Sequence, residues 1–212
     1  MSRPLLITDC DEVLLHMVVP FGEWLDEAHD IHFDLDRLFH PETGGYLNAM
    51  HEKLTGNVVS SDRVFPFLKG FFETEMHRQQ PIIGAVAAIN ALAAEADVVV
   101  LTNLTDDARG WRADQLRAVG VDFPVYTNQG GKGEVLARII ADHAPSVAVF
   151  VDDLIHQHDS VAKHAPDVFR LHMVGEPRIA PHVAAAPSAH ARIDDWHSAQ
   201  HWIMERFKGV PL

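Results

Sequence analysis

Residues 5–15 read LLITDCDEVLL: the apolar run Leu5, Leu6, Ile7 passes through Thr8 straight into Asp9, Cys10, Asp11 and Glu12. A short Leu/Ile run that stops at acidic residues reads as a buried strand ending at a turn. Asp9 and Asp11 are two residues apart, so where the strand continues through them both side chains point to one side, with Cys10 opposite as an inert, buried thiol. Taken by itself the motif also fits an ordinary acidic turn, in which Asp11 and Glu12 only meet solvent. The residues further along decide between these.

Downstream, apolar runs alternate with helix-like stretches. Residues 84–96 (GAVAAINALAAEA) are Ala-rich and read as a helix, followed by a valine-rich strand over 97–103 (DVVVLTN). Residues 105–119 look helical, with Thr105 as N-cap, Asp106 and Asp107 in the first turn and Gly120 as the stop. A weaker strand over 123–127, a helix over 132–143 and a buried strand over 147–151 that ends at Asp152 follow. A further helix, a strand around 168–174 and an amphipathic helix over 194–207 complete the chain, with the Ala/Pro-rich 180–191 as a surface connection. This alternation predicts an α/β fold: a Rossmann-like parallel sheet flanked by helices.

Residues 16–80 are far more than one crossover needs. Phe21, Trp24, Leu25 and Ala28 follow helical spacing, and residues 64–76 hold Phe65, Phe67, Leu68, Phe71 and Phe72, so this interval is expected to form a small helical cap with an aromatic core. The domain reading is therefore a core of 1–15 and 81–212, with a helical cap at 16–80.

Composition limits the function. Seventeen Lys and Arg against thirty Asp and Glu give a net charge of −13, which disfavours nucleic acid phosphates as partners. The chain has no apolar run long enough to span a bilayer and no secretory pattern at its start, and its single cysteine excludes an intramolecular disulfide; cytoplasm is the expected compartment. Among fifteen histidines, His156 and His158 lie close together but lack further nominated ligands for zinc. Gly130-Gly131-Lys132-Gly133 departs from the phosphate-loop pattern, which needs a hydroxyl residue after the lysine.

Three strands thus end in polar residues at one edge of the sheet: Asp9 with Asp11, Thr102 with Asn103, and Asp152 with Asp153. A carboxylate such as Asp9 can accept a phosphoryl group, and Asp11 can protonate the leaving oxygen and then activate water. Asp152, with Asp9 and a backbone carbonyl, offers the oxygen-rich surroundings that Mg²⁺ prefers. Thr102 and Lys132 supply donors and charge for a phosphate, with Asn103 beside Thr102.

Strand-DxD, strand-Thr, Lys at a helix start and strand-DD, in this order, resemble the four motifs of the haloacid dehalogenase superfamily, over about residues 5–159. The resemblance implies Asp9 as nucleophile, Asp11 as general acid/base and carbonyl ligand of the metal, and Thr102 and Lys132 as phosphate contacts. It further implies Asp152 as principal metal ligand, with Asp153 preferred over Asp159 as the supporting acid. The partner implied is a small phosphorylated metabolite. Asp11 separates this pattern from the dehalogenases and phosphonatases, whose chemistry is the alternative enzyme class. A phosphoacceptor of the receiver type, or a silent phosphate-binding protein, are the readings without turnover. Glu12 stands where the family often has glycine, and is expected to narrow or repel at the entrance.

Overall fold

The computed structural model describes residues 2–38 and 45–210. In chain order the elements are β1 (Leu5–Thr8), α1 (Val18–His29), β2 (Ile31–Phe33), α2 (Leu35–Leu38), α3 (Tyr46–Ala49), β3 (Met50–Glu52), α4 (Ser61–Thr74), α5 (Ala85–Ala93) and β4 (Asp97–Thr102). Then come α6 (Arg109–Ala118), β5 (Val125–Thr127), α7 (Gly133–His143), β6 (Ala148–Asp152), α8 (Ile155–His164), β7 (Phe169–His172), β8 (Ala191–Arg192) and α9 (Trp196–Phe207). The chain divides into two compact units, Met1–Leu15 with Pro81–Leu212, and His16–Gln80.

The first unit is built on a six-stranded sheet in the order β5-β4-β1-β6-β7-β8, every pairing parallel. Because successive strand residues face opposite ways, each central strand feeds two cores. Leu6, Val98, Val100, Val149 and Val151 pack with residues of α5 and α9 on one face. Leu5, Ile7, Val99, Leu101 and Phe150 pack with Leu136 and Ile139 of α7 and Val161 of α8 on the other. Strands buried on both faces are why these runs are continuously apolar rather than alternating. The Rossmann-like α/β reading holds.

Several details differ from the sequence reading. Residues 106–108 form a 3₁₀ turn ahead of α6, and Thr105 precedes it without a side-chain capping bond; the hydroxyl of Thr127 bonds Asp106 instead. β5 begins at Val125, directly after Pro124, whose carbonyl accepts from Val100 N–H. The 180–191 connection is partly internal: Ala186 is buried, and the segment runs into β8, which adds a sixth strand. An Ala/Pro-rich composition hid a two-residue edge strand.

The second unit is not purely helical. β2 and β3 pair antiparallel, with Ile31 and Phe33 buried and His32 exposed between them. Strands of three residues are too short to print a period on the sequence. Around them Phe21 meets Phe33 and Phe71 edge to face at 5.7 and 5.5 Å, and Trp24 meets Phe71 at 5.8 Å. Phe65 and Ala28, expected in this core, are exposed. Residues 39–44 of this segment lie outside the described residues. Among the described residues, no helix is long and apolar enough to cross a membrane.

Candidate active site

Register places the polar strand ends together. Thr8 pairs with Val100 of β4 and with Val151 of β6, so Asp9, Thr102 and Asp152 emerge side by side at the carboxyl edge, where open α/β sheets bind ligands. Asp9 N–H donates to Val151 O at 2.8 Å, and its Oδ1 accepts from Cys10 N–H at 2.7 Å. The chain then folds tightly: Leu14 and Leu15 N–H both donate to Cys10 O, at 2.7 and 2.9 Å. Glu12 makes that turn with φ 57°, a left-handed conformation that favours glycine. It is buried, and its carbonyl accepts from Gly175 N–H at 2.7 Å. Glu12 therefore does not stand at an entrance.

Lys132 arrives from the start of α7, buried. Its Nζ lies 2.8 Å from Asp9 Oδ1 and 2.6 Å from Asp152 Oδ2. Gly131 and Gly133 let α7 approach α8, whereas Gly130 holds a left-handed φ of 88° in open space. A Cβ on Gly133 would sit 2.2 Å from Ser160 O of α8, so only glycine lets the two helices approach there. In return α8 caps α7: Lys132 N–H donates to Gln157 Oε1 at 2.7 Å and Gly133 N–H to Ser160 Oγ at 3.0 Å.

Asp9, Asp152 and Asp153 each offer a carboxylate oxygen within 4.8 Å of the others. Burial pushes the Asp9 carboxyl up to about 7; Lys132 opposes that push, while Asp152 and Asp11 add to it. Asp153 is likewise raised, by burial and then by Asp152, Asp9 and Glu12. Burial works against the charge on Lys132, but Asp152 and Asp9 more than offset it and hold the ammonium above its ordinary range. Three carboxylates crowded around one ammonium disfavour one another's charge, and this all-oxygen donor set fits a hard divalent cation such as Mg²⁺. Asp159 lies apart, accepting from Ser188 Oγ at 2.6 Å. Cys10 is buried, and its thiol is pushed up by burial, which leaves it unreactive.

Thr102 is fully buried, and its Oγ1 has no partner among the described residues. A buried hydroxyl without a partner costs free energy unless a ligand meets it. Asn103 turns elsewhere: its Nδ2 donates to Gly130 O at 3.0 Å and its Oδ1 accepts from Asn128 at 3.0 Å, tying down the loop that leads to Lys132. Asp11 lies outside the group of three acids. Both its oxygens meet Arg112 Nη2, at 2.9 and 2.8 Å.

Sequence reasoning missed Arg112 and His172, and weighed His158 only as a zinc ligand; the two histidines stand behind the acids. His158 and His172 place Nε2 3.0 Å from Asp152 O and 2.8 Å from Asp153 O. Nδ1 of His172 accepts from Ala186 N–H, which fixes the tautomer that donates to Asp153. The signal for His158 was its i+6 place after Asp152 on a helix; nothing local marked His172 or Arg112.

No protein-family model and no curated protein sequence matches the chain. Solved structures do. A haloacid dehalogenase family hydrolase from Deinococcus radiodurans R1, solved with bound phosphate and sodium, superimposes with TM-score 0.67 at 15% identity, covering 96% of each chain. The fold is that of the haloacid dehalogenase superfamily. The haloacid dehalogenase-type hydrolase YfnB of Bacillus subtilis, solved with magnesium, matches with TM-score 0.61 at 13% identity over 96% of this chain and 100% of that one. An L-2-haloacid dehalogenase matches with TM-score 0.58 at 12% identity over 96% and 100%. At such identities it is the haloacid dehalogenase-like architecture that is shared.

Proposed function

We propose that this chain is a Mg²⁺-dependent hydrolase of small phosphomonoesters that works through an aspartyl phosphate on Asp9. The observation that carries this reading is the buried Lys132 ammonium held between Asp9 and Asp152, with Asp153 beside them. Asp9, Asp152, Asp153 and the main-chain carbonyl of Asp11 are the groups to hold the cation. When bound, it supplies the positive charge that lets carboxylates and a phosphate share one site.

Lys132 favours the charged, nucleophilic form of Asp9 against the push of burial, and orients it. Thr102 Oγ1 has a proton to give a phosphoryl oxygen. Asp9 attacks phosphorus; as the new O–P bond forms, the bond to the leaving oxygen breaks, and that oxygen keeps the electron pair and takes a proton from Asp11. Water then attacks phosphorus and gives its proton to Asp11. The Asp9–phosphorus bond breaks, returning the carboxylate and releasing inorganic phosphate. Residues 16–80 are proposed as the segment that selects the substrate, on the ground that they interrupt the core between β1 and α5. The proposed compartment is the cytoplasm, consistent with the single buried cysteine.

The test is a panel of sugar phosphates, nucleotides and phosphoamino acids assayed for phosphate release with Mg²⁺, together with 2-haloacids assayed for halide. Phosphate release that disappears in Asp9→Asn is the expected result. Halide release without phosphate release would reverse the assignment toward the dehalogenases.

A further inference from the structure

Arg112 has no exposed surface, although it lies on α6 on the same face as Leu116, which belongs to the apolar core. Residues at i and i+4 share one stripe of a helix, and a core-facing stripe is ordinarily apolar. Here the turn of α6 nearer the carboxyl edge of the sheet presents a guanidinium instead. Among its contacts, Nη1 donates to Gln115 Oε1 at 2.8 Å, and Nη2 meets both oxygens of Asp11, 101 residues away in sequence. The Asp11 side chain keeps about one-fifth of its surface exposed, whereas Arg112 keeps none.

Stability does not account for this arrangement. A buried ion pair replaced by apolar residues of similar volume is often as stable or more so, because desolvation cancels the attraction. A function that needs one carboxylate in one orientation does account for it.

We infer that Arg112 is a positioning residue for Asp11, fixing the direction from which that carboxylate serves the leaving oxygen and the attacking water. This rests on the phosphohydrolase reading above. Gln115 fixes Arg112, Arg112 fixes Asp11, and Asp11 alone meets the reacting atoms.

The experiment uses the full chain with Mg²⁺ and two probes, glycerol phosphate and p-nitrophenyl phosphate. An alkoxide leaves poorly without a proton, and a nitrophenolate leaves well without one. Arg112→Met is expected to lower kcat on glycerol phosphate about 100-fold, within the usual range for a lost general acid, and to depress the nitrophenyl ester far less. Arg112→Lys should recover part of the loss. In an Asp11→Asn background Arg112→Met should change nothing further, since its effect runs through Asp11; the double variant removes both charges and so keeps the fold testable. Equal losses on the two esters, or losses that multiply in the double variant, would overturn the inference while leaving the phosphohydrolase reading intact. A wild-type protein that releases phosphate from neither ester nor any member of the panel above would overturn that reading and the role of Arg112 with it.

Discussion

Glu12 joins local strain to the site. A non-glycine residue held at φ 57° costs about 1–3 kcal/mol, and strain of this kind persists where the surroundings impose it. Its carboxylate adds to the charges that raise Asp153. Glu12→Gly is therefore expected to stabilise the metal-free protein by about 1 kcal/mol in urea unfolding, through relief of strain and of repulsion, whereas Glu12→Ala keeps the strain and gains less. Equal midpoints for the two variants would contradict this. Asp9, Lys132, Asp152 and Asp153 were legible as a group because each lies at or beside a strand end or a helix start in an ordered series. Arg112 was not, since nothing in residues 109–118 distinguishes an arginine facing the core from one facing water. Asn103 illustrates the reverse: its place beside Thr102 suggested a ligand contact, and its amide is spent on Gly130.

The edge of the sheet carries a pH dependence of its own. His190, just ahead of β8, accepts from Arg170 N–H of β7 through Nδ1 at 2.9 Å and returns a bond from its own N–H to Arg170 O at 2.7 Å. Burial, with the nearby positive charges, holds its pKa below the ordinary 6.5. The sign follows: the unfolded chain takes up a proton that the folded one refuses, so this contribution is complete above pH 6.5 and is lost as pH falls through the depressed value. The thermal midpoint of His190→Gln should fall less steeply below pH 6.5 than that of the wild-type protein; parallel slopes would rule His190 out. The central strands were readable from their unbroken Leu, Ile and Val runs, because burial on both faces forces apolar runs. β2, β3 and β8 were not, being two or three residues long and set by the partners they pair with.

At the scale of the molecule, the chain leaves the core after Leu15 and returns at Pro81, and these two residues pair antiparallel, with Ile82 N–H donating to Leu14 O at 2.9 Å. Paired ends of this kind can be closed by a tight turn. Excising 16–80 and joining Leu15 to Pro81 through Asn-Gly is expected to leave a core that unfolds cooperatively and gains about 2.7 kcal/mol from Mg²⁺ at a hundredfold excess over its Kd. Loss of cooperative unfolding would show that the core depends on the excised segment. The position of that segment was evident from sequence, since the interval between the first two motifs is too long for a crossover; its β2–β3 pair was not. The claim on which the rest depends is that Asp9 carries the phosphoryl group. It is tested most directly by quenching Asp11→Asn in acid during turnover of p-nitrophenyl phosphate with Mg²⁺ and mapping the protein by mass spectrometry. One phosphoryl group on the peptide containing Asp9, removed by hydroxylamine and absent from Asp9→Asn, is the predicted result; phosphate release undiminished in Asp9→Asn, with no adduct on that peptide, would contradict the account.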